Sequence, residues 1–300
     1  MKYVIDQANV LKNNNVECCS LIIGENRIDY IEKSTKLYRI LRMPVNEYVL
    51  TPGHIMLDFT FQHARTFEEF KGYIQCHFIS RGCTTILAVC DVSYEKELSS
   101  KVRQLRQNLL NIPVDYFIGV RIPLRILSPS FVRECKRLKI PVIFLELSGE
   151  ENLEHIPWYW IYEALYLYPI AFVPHWDNLS KTITQQKAWR KIMTKYKIPH
   201  IPFSLMERTP LPLNVLKKIG IYPLKGDIRI GGEVDYNLYE KTALTHSVAQ
   251  KVNVDYDKHV PRVTVHKGRL LKAGDEIFFY PGFGKECVVQ SPGMFMSHFE

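Results

Sequence analysis

Several features that would identify the class of this protein at once are missing from its sequence. No apolar run approaches the ~20 residues that a membrane-spanning helix needs. The sequence that starts with residues 1–6 has no signal-peptide core followed by a cleavage site of small residues. The seven cysteines include no Cys-x-x-Cys pair, which argues against structural zinc or a disulfide framework. We therefore expect a cytoplasmic protein with reduced thiols and no contact with a membrane.

Nucleic-acid binding and two common types of catalysis also lack their usual signals. The formal net charge is +8, but the basic residues are spread over amphipathic helices and no nucleic-acid-binding motif accompanies them. Neither a Gly-x-Ser-x-Gly nucleophile elbow nor a Gly-x-x-x-x-Gly-Lys-Ser/Thr phosphate loop occurs. With 46% hydrophobic residues, the chain is able to form a sizeable core of one large domain or two smaller ones.

The order of apolar runs and turn signals predicts two kinds of structure. Residues 16–31 have the pattern of a β-hairpin with a glycine-containing turn. From residue 55 onward, strands alternate with amphipathic helices, which predicts βαβ units on a parallel sheet. The predicted strands are 55–60, 84–92, 114–122, 142–147 and 170–173, and the predicted helices are 66–80, 94–110, 128–138, 152–168, 182–197 and 213–219. Short strands and glycine turns return after residue 226.

Five ordered segments carry a resemblance to a known family. They are PGHIMLDFT (52–60), RGCTTI (81–86), GIYPLKGDIRIGGEVDYNLY (220–239), VTVHKGRL (263–270) and GFGK (282–285). Together they resemble the first two barrel strands and the C-terminal β segments of the amidohydrolase superfamily, in particular dihydroorotases and hydantoinases. That resemblance implies a (β/α)8 barrel beside a β-sandwich that is built from both ends of the chain.

The chain is short for such a barrel. From residue 55 to residue 219 it offers about 165 residues, whereas a complete eight-unit barrel typically takes ~250. We therefore predict an α/β plus β protein, with a truncated or incomplete (β/α) TIM-like barrel over 53–219 and a composite β-sandwich domain from 1–52 and 220–300. The barrel is expected to be shortened, open, or completed by a partner chain.

The residues that the resemblance implies as metal ligands are mostly replaced. Where the family has His-x-His at the end of the first barrel strand, this chain has Asp58 and Thr60, and a threonine hydroxyl is a poor zinc ligand. The family's carboxylated lysine after strand four has no counterpart, but Glu146 lies on that strand. His175, followed by Asp177, ends the fifth predicted strand. No histidine on a sixth strand and no final aspartate can be identified.

Each surviving candidate has an ordinary structural interpretation as well. Asp58 is also suited to bond backbone amides or an arginine such as Arg121, which ends the third predicted strand. Glu146 is suited to capping a helix or to remaining in solvent, and a lone histidine such as His175 is most often an ordinary polar residue. The sequence leaves both interpretations open for all three.

Two functional hypotheses follow. The first is a catalytically degenerate amidohydrolase-like protein that needs no cofactor and acts by binding a small-molecule ligand or a protein. The alternative is an active hydrolase that cleaves a C–N bond of a cyclic amide or a related small molecule. It would use zinc or another divalent metal in a mononuclear site drawn from Asp58, Glu146 and His175, with Asp58, Glu146 and Asp177 as the catalytic candidates.

Truncation of the barrel also suggests a partner. An open barrel exposes a sheet edge or apolar helix faces that must be covered, which favours a homodimer or a protein complex. The aromatic residues Trp158, Tyr159, Trp160 and Tyr162 are one candidate interface. The competing interpretation, slightly favoured here, places them in the core of the protein.

Overall fold

A computed structural model describes residues 2–12, 15–33, 39–148, 153–176, 182–241, 245–246, 252–253 and 259–293. Sixteen strands lie in these ranges. They are β1 (Tyr3–Lys12), β2 (Asn15–Gly24), β3 (Arg27–Glu32), β4 (Leu41–Pro44), β5 (Tyr48–Pro52), β6 (His54–Asp58), β7 (Cys83–Asp91), β8 (Asp115–Pro123), β9 (Val142–Leu147), β10 (Ala171–Trp176), β11 (Tyr236–Glu240), β12 (Thr245–His246), β13 (Val252–Asn253), β14 (Val263–His266), β15 (Arg269–Ala273) and β16 (Glu276–Ile277).

Six α-helices are described, and most of them follow strands of the parallel sheet. They are α1 (Phe67–His77), α2 (Leu98–Asn108), α3 (Pro129–Arg137), α4 (Trp158–Ala164), α5 (Thr182–Lys195) and α6 (Leu213–Ile219). Thr66 begins α1 with a complete capping box, in which its side chain accepts from the amide of Glu69 and the Glu69 side chain accepts from the amide of Thr66. Among the described residues, no helix combines the length and apolarity required to cross a bilayer.

Two sheets organise the fold. Strands from both ends of the described chain pair in one nine-stranded sheet, in the order β16-β15-β14-β11-β5-β1-β2-β3 with β4 beside β1. The second sheet is β10-β9-β8-β7-β6, and all its pairs are parallel. Its five strands curl into part of a TIM-like barrel, which confirms the predicted partial barrel beside a β domain at the level of the overall fold.

Alternating side chains of the parallel sheet enter two different cores. On β7, Ile86, Ala88 and Cys90 point to the outer face, where they join apolar residues of the helices. Leu87 and Val89 point to the inner face, because successive side chains of a strand alternate. The inner core is completed by residues that follow the last parallel strand, namely Ile201, Leu205, Leu211, Val215, Leu216, Ile219 and Ile221. These residues fill the interior of the curled sheet.

The segment 199–211 pairs with both edges of the parallel sheet. At the β10 edge, the amide of Phe172 donates to the carbonyl of Pro199 (2.9 Å) and the amide of Ile201 donates to the carbonyl of Phe172 (2.8 Å). At the β6 edge, the amide of Arg208 donates to the carbonyl of Leu57 (2.9 Å), and the amide of Leu211 donates to the carbonyl of Ile55 (2.8 Å). One irregular segment therefore connects the two edges that an incomplete barrel would leave open.

This arrangement corrects one reason for expecting a partner. The prediction of a homodimer or complex assumed an exposed sheet edge or exposed apolar helix faces, and the first of these is wrong because the chain pairs with its own edges. Pro199 and Pro202 keep the segment from forming a regular strand, which is why its sequence did not predict the pairing. A homodimer or complex itself stays a prediction.

The aromatic helix α4 is divided between core and surface. Trp158 is buried and donates its indole N–H to the carbonyl of Leu153 (2.6 Å). Tyr159, Trp160 and Tyr162 are exposed on the other side of the helix. The interpretation of all four as core is therefore wrong for three of them, because at 3.6 residues per turn four residues within five positions cannot share one face.

The last described segment binds the start of β8. The amide of Tyr116, on β8, donates to the carbonyl of Lys285 (3.0 Å), and the amide of Cys287 donates to the carbonyl of Tyr116 (2.7 Å). A Cβ atom at Gly284 would lie 1.8 Å from the carbonyl oxygen of Val114. The close approach of the two backbones explains why glycine occupies this position.

Candidate functional site

Charged side chains gather at the carboxyl ends of the five parallel strands. Asp58 ends β6, Asp91 ends β7, and Arg121 lies near the end of β8. Glu146 and His175 occupy corresponding positions on β9 and β10, directly opposite each other in the sheet register. Functional sites of TIM barrels and related parallel sheets form at this edge, so this cluster is the candidate site.

Arg121 is the centre of the cluster. Its Nε and Nη2 donate to the two carboxylate oxygens of Asp91, each at 2.6 Å, because the two residues are opposite each other in neighbouring strands. Its Nη1 lies 3.2 Å from Nε2 of His175, and its Nε lies 3.4 Å from Oε1 of Glu146. The guanidinium is thus held by groups from the strands on both sides of β8.

An aromatic ring supports this guanidinium. The Cζ atom of Arg121 lies 4.5 Å from the ring centroid of Phe59, and the Phe59 and His175 rings are 5.0 Å apart. Burial would lower the pKa of Arg121, but the Asp91 hydrogen bonds and the charges of Asp91, Glu146 and Glu207 outweigh it, so the pKa is raised. The Glu146 side chain remains 37% exposed, against 19% for Arg121, so solvent reaches the carboxylates at the rim.

Asp58 has a separate set of partners. Its side chain is fully buried, and its Oδ1 accepts from the amide (2.7 Å) and the hydroxyl (2.8 Å) of Thr60. Its Oδ2 accepts from the hydroxyl of Tyr73 (2.5 Å) and from Nε of Arg208 (3.3 Å). Burial, followed by the hydrogen bond to the Asp58 carboxylate, raises the pKa of Tyr73 to about 12. The Tyr73 hydroxyl therefore remains a neutral donor near neutral pH.

Asp58 does pair with an arginine, but with Arg208 and not with Arg121. The β7 strand lies between β6 and β8, which separates Asp58 from Arg121 by two strand spacings, roughly 10 Å. Arg208 reaches Asp58 because the segment containing it pairs with the free edge of β6.

The predicted metal ligands have different surroundings. Glu146 and His175 both contact the Arg121 guanidinium, whereas Asp58 bonds Thr60, Tyr73 and Arg208. Within the part of the chain that the structure describes, no three His, Cys, Asp or Glu side chains are arranged to hold one metal ion. Asp177 lies outside the described residues. Roles in catalysis or metal binding for these residues stay predictions.

The donor set around Arg121 does not suit a divalent metal. A metal bound by Glu146 and His175 would stand beside the fixed positive charge of Arg121 and compete with it for the same lone pairs. The contacts of Asp91 with Arg121 and of Tyr73 with Asp58 were missed from the sequence. Asp91 could have been found from its place at the end of a predicted strand, but the pairing of Tyr73 with Asp58 required the tertiary structure.

A second charged cluster lies at the opposite, amino-terminal end of β8. The carboxylate of Asp115, only 1% exposed, pairs with Nζ of Lys225 at 2.6 Å and with Nζ of Lys267 at 2.5 Å. It also accepts from the amide of Lys285 at 2.8 Å. Lys225 contacts Asp235 as well, at 2.8 Å. These contacts join the parallel sheet to the C-terminal part of the chain.

His266 completes this second cluster between two carboxylates. Its Nδ1 lies 3.0 Å from Asp235 and its Nε2 lies 3.6 Å from Asp115. Burial would lower the pKa of His266, but the two carboxylates outweigh it and the pKa is raised. Burial opposes the charged form of Asp235 too, yet His266 and Lys225 lower its pKa to about 2. The cluster is therefore a buried set of paired ions, a role that the sequence motif 220–239 did not reveal.

Comparisons with known proteins show similarity in structure but none in sequence families. No family model and no curated protein matches the sequence. A D-hydantoinase structure is similar with a TM-score of 0.69 and 12% identity, covering 98% of this chain and 100% of that chain. A D-hydantoinase from Bacillus sp. AR9 gives a TM-score of 0.70 at 10% identity, covering 97% of this chain and 99% of the other.

A dihydropyrimidinase from Brevibacillus agri is also similar, with a TM-score of 0.67 at 12% identity over 99% of this chain and 100% of that one. The fold that the sequence motifs suggested is thus confirmed, since it is similar to the folds of these hydantoinases and of this dihydropyrimidinase. At 10–12% identity, the similarity assigns no activity to this chain.

Proposed function

We propose that this protein is a catalytically degenerate relative of the hydantoinase-type amidohydrolases, which acts by binding a ligand or a protein and not by metal-dependent hydrolysis. The observation that carries the proposal is the position of Arg121. Its guanidinium binds Asp91, Glu146 and His175 at the edge of the sheet where the family's metal chemistry is expected. The positively charged guanidinium of Arg121 thus contacts the side chains that a metal ion would need as ligands.

Arginine cannot replace the chemistry of a metal in this position. A bound metal ion lowers the pKa of its water to about 7 and polarises the substrate carbonyl, whereas a guanidinium offers only charge and hydrogen-bond donors. Thr60, at the second position of the family's His-x-His pattern, bonds Asp58 through its hydroxyl. The polar side chains at the carboxyl ends of these strands therefore bond to one another and stabilise the sheet.

The interior of the curled sheet supports the same conclusion. Residues 201–221 supply much of the inner core, including Leu211, Val215 and Ile219. A substrate has no room among these packed side chains and would have to bind at the rim, beside Arg121. The rim groups that remain open to solvent, such as Glu146, are suited to contact a ligand or another protein.

An assay of cyclic-amide hydrolysis tests the proposal. Purified protein is supplied in turn with zinc, manganese and cobalt and incubated with a 5-substituted hydantoin and with a dihydropyrimidine. We expect no turnover above that of the metal salts alone, because no activated water can form.

Turnover that disappears in His175→Asn but persists in His155→Asn would contradict the proposal. His155 is exposed, so its replacement controls for general effects of losing an imidazole. That outcome would support the alternative, an active hydrolase with a mononuclear site that includes His175.

A further inference from the structure

Arg65 is held in place without a carboxylate partner. Its Nη2 donates to the hydroxyl of Thr60 (2.8 Å), and its Cζ lies 4.1 Å from the ring centroid of Tyr73. Over the described ranges, Arg65 forms no ion pair and donates no other hydrogen bond; its charge helps to lower the pKa of Glu69, after the hydrogen bonds to Thr66, without a direct contact. A guanidinium carries five N–H donors, so most of the donors of Arg65 are available to a ligand.

The neighbouring carboxylates are engaged elsewhere. Asp58 accepts from Arg208 and Tyr73, and Glu69 accepts from the amide of Thr66 at 2.8 Å. Because these groups are satisfied by other donors, they do not draw Arg65 away from its position on Tyr73. The side chain is preorganised, which reduces the entropy lost when it binds an anion.

A groove of about 210 Å³ adjoins Arg65. It is formed by the connection between β6 and α1, by α1 itself and by the end of α2, and its walls include Phe61, Phe67 and Phe70. Arg65 lies at one side, 5.8 Å from the ring centroid of Phe61, and Gln107 and Asn108 also line the groove. An apolar cavity of about 150 Å³ is enough to hold benzene, so the groove has room for one aromatic ring.

We propose that this groove binds a small aromatic carboxylate. The ring packs mainly against Phe67, which is 43% exposed, above the buried Phe61 and Phe70, where offset or edge-to-face contacts are favourable. The carboxylate accepts hydrogen bonds from the free N–H groups of Arg65, a charge-assisted and geometrically matched pairing. The groove shares no residue with the Arg121 cluster, so the inference does not depend on whether the protein is a hydrolase.

Calorimetric titration of the full chain with benzoate, benzamide and inorganic phosphate tests this site. We expect benzoate to bind, and benzamide, which has the same shape without the charge, to bind at least about tenfold more weakly. Phosphate should bind more weakly than benzoate because it has no ring for the groove. Absence of benzoate binding, or equal binding of phosphate or benzamide, would overturn the proposal.

Variants locate the site. Arg65→Gln should weaken benzoate binding at least about tenfold, whereas Arg103→Gln, an exposed position on α2, should leave it unchanged. Phe67→Ala removes a wall of the groove at a side chain that is 43% exposed, so it should weaken binding without unfolding the protein. Unchanged affinity in either Arg65→Gln or Phe67→Ala would refute the assignment, so the Phe67 variant keeps the test decisive if Arg65→Gln does not fold.

Discussion

Replacement of Asp115 with alanine is expected to lower the free energy of unfolding by about 3–5 kcal/mol. The change removes one of the two buried carboxylates that face Lys225 and His266, and it also removes the carboxylate that pairs with Lys267. Removing one partner of a buried ion pair is far more costly than removing an exposed one, because the remaining charge cannot regain its hydration. Urea denaturation followed by circular dichroism measures the change.

Asp29→Ala is the control for the Asp115 experiment. Asp29 pairs with Lys2 at 3.3 Å at the surface, where the lysine side chain is 66% exposed. Its loss should change the stability by no more than about 1 kcal/mol. Equal effects of the two replacements would mean that the buried cluster does not stabilise the junction between the parallel sheet and the C-terminal segment.

Replacement of Asp58 with alanine should be similarly damaging, at about 3 kcal/mol or more. The fully buried carboxylate accepts from Thr60, Tyr73 and Arg208, and its removal leaves these donors without their acceptor. Tyr73→Phe, which deletes a single donor, should cost about 1 kcal/mol. Both changes are measured by urea denaturation of protein treated with a chelator.

The chelator makes the Asp58 result diagnostic. If Asp58 is a metal ligand that has no structural role, its removal from metal-free protein leaves the stability nearly unchanged or raises it. If it is the acceptor at the centre of a buried network, the loss of stability is the same with and without metal. The second outcome is the one expected from the contacts of Asp58.

The alternation of strands and helices was predictable because it depends on local periodicity. The strand Val142–Leu147 and the helix Leu213–Ile219 begin and end where the sequence pattern predicted. Ser128, the first residue of the predicted helix 128–138, is of a type favoured at helix starts, and its hydroxyl accepts from the amide of Phe131 at 3.1 Å. Capping and hydrophobic alternation are read from a few neighbouring residues, so a single sequence is enough to reveal them.

The pairing of distant residues was not predictable in the same way. The segment 199–211 has no strand pattern, yet it pairs with both edges of the parallel sheet. Lys225 and Asp235 lie within a motif that indicated only turns and a sheet, and Asp115, which pairs with Lys225, is more than a hundred positions away. Such contacts depend on the register and curvature of the sheet, which the sequence pattern does not specify.

The same limit applies to the candidate site. Glu146 and His175 were selected correctly as residues at the strand ends, and they do lie close to one another across β9 and β10. Their common neighbour Arg121 was considered only as a partner of Asp58. Its pairing with Asp91 follows from strand order and register, and this pairing changes the chemistry that the cluster is suited to perform.

Elemental analysis of the protein, purified from cells grown with zinc, manganese and iron, tests the central proposal most directly. With Arg121 bound to Asp91, Glu146 and His175, the protein should contain far less than one metal ion per chain. It should also remain folded and keep the same unfolding curve after treatment with a chelator. Near-stoichiometric metal that is lost in His175→Asn or in Glu146→Gln, but retained in His155→Asn, would contradict the proposal.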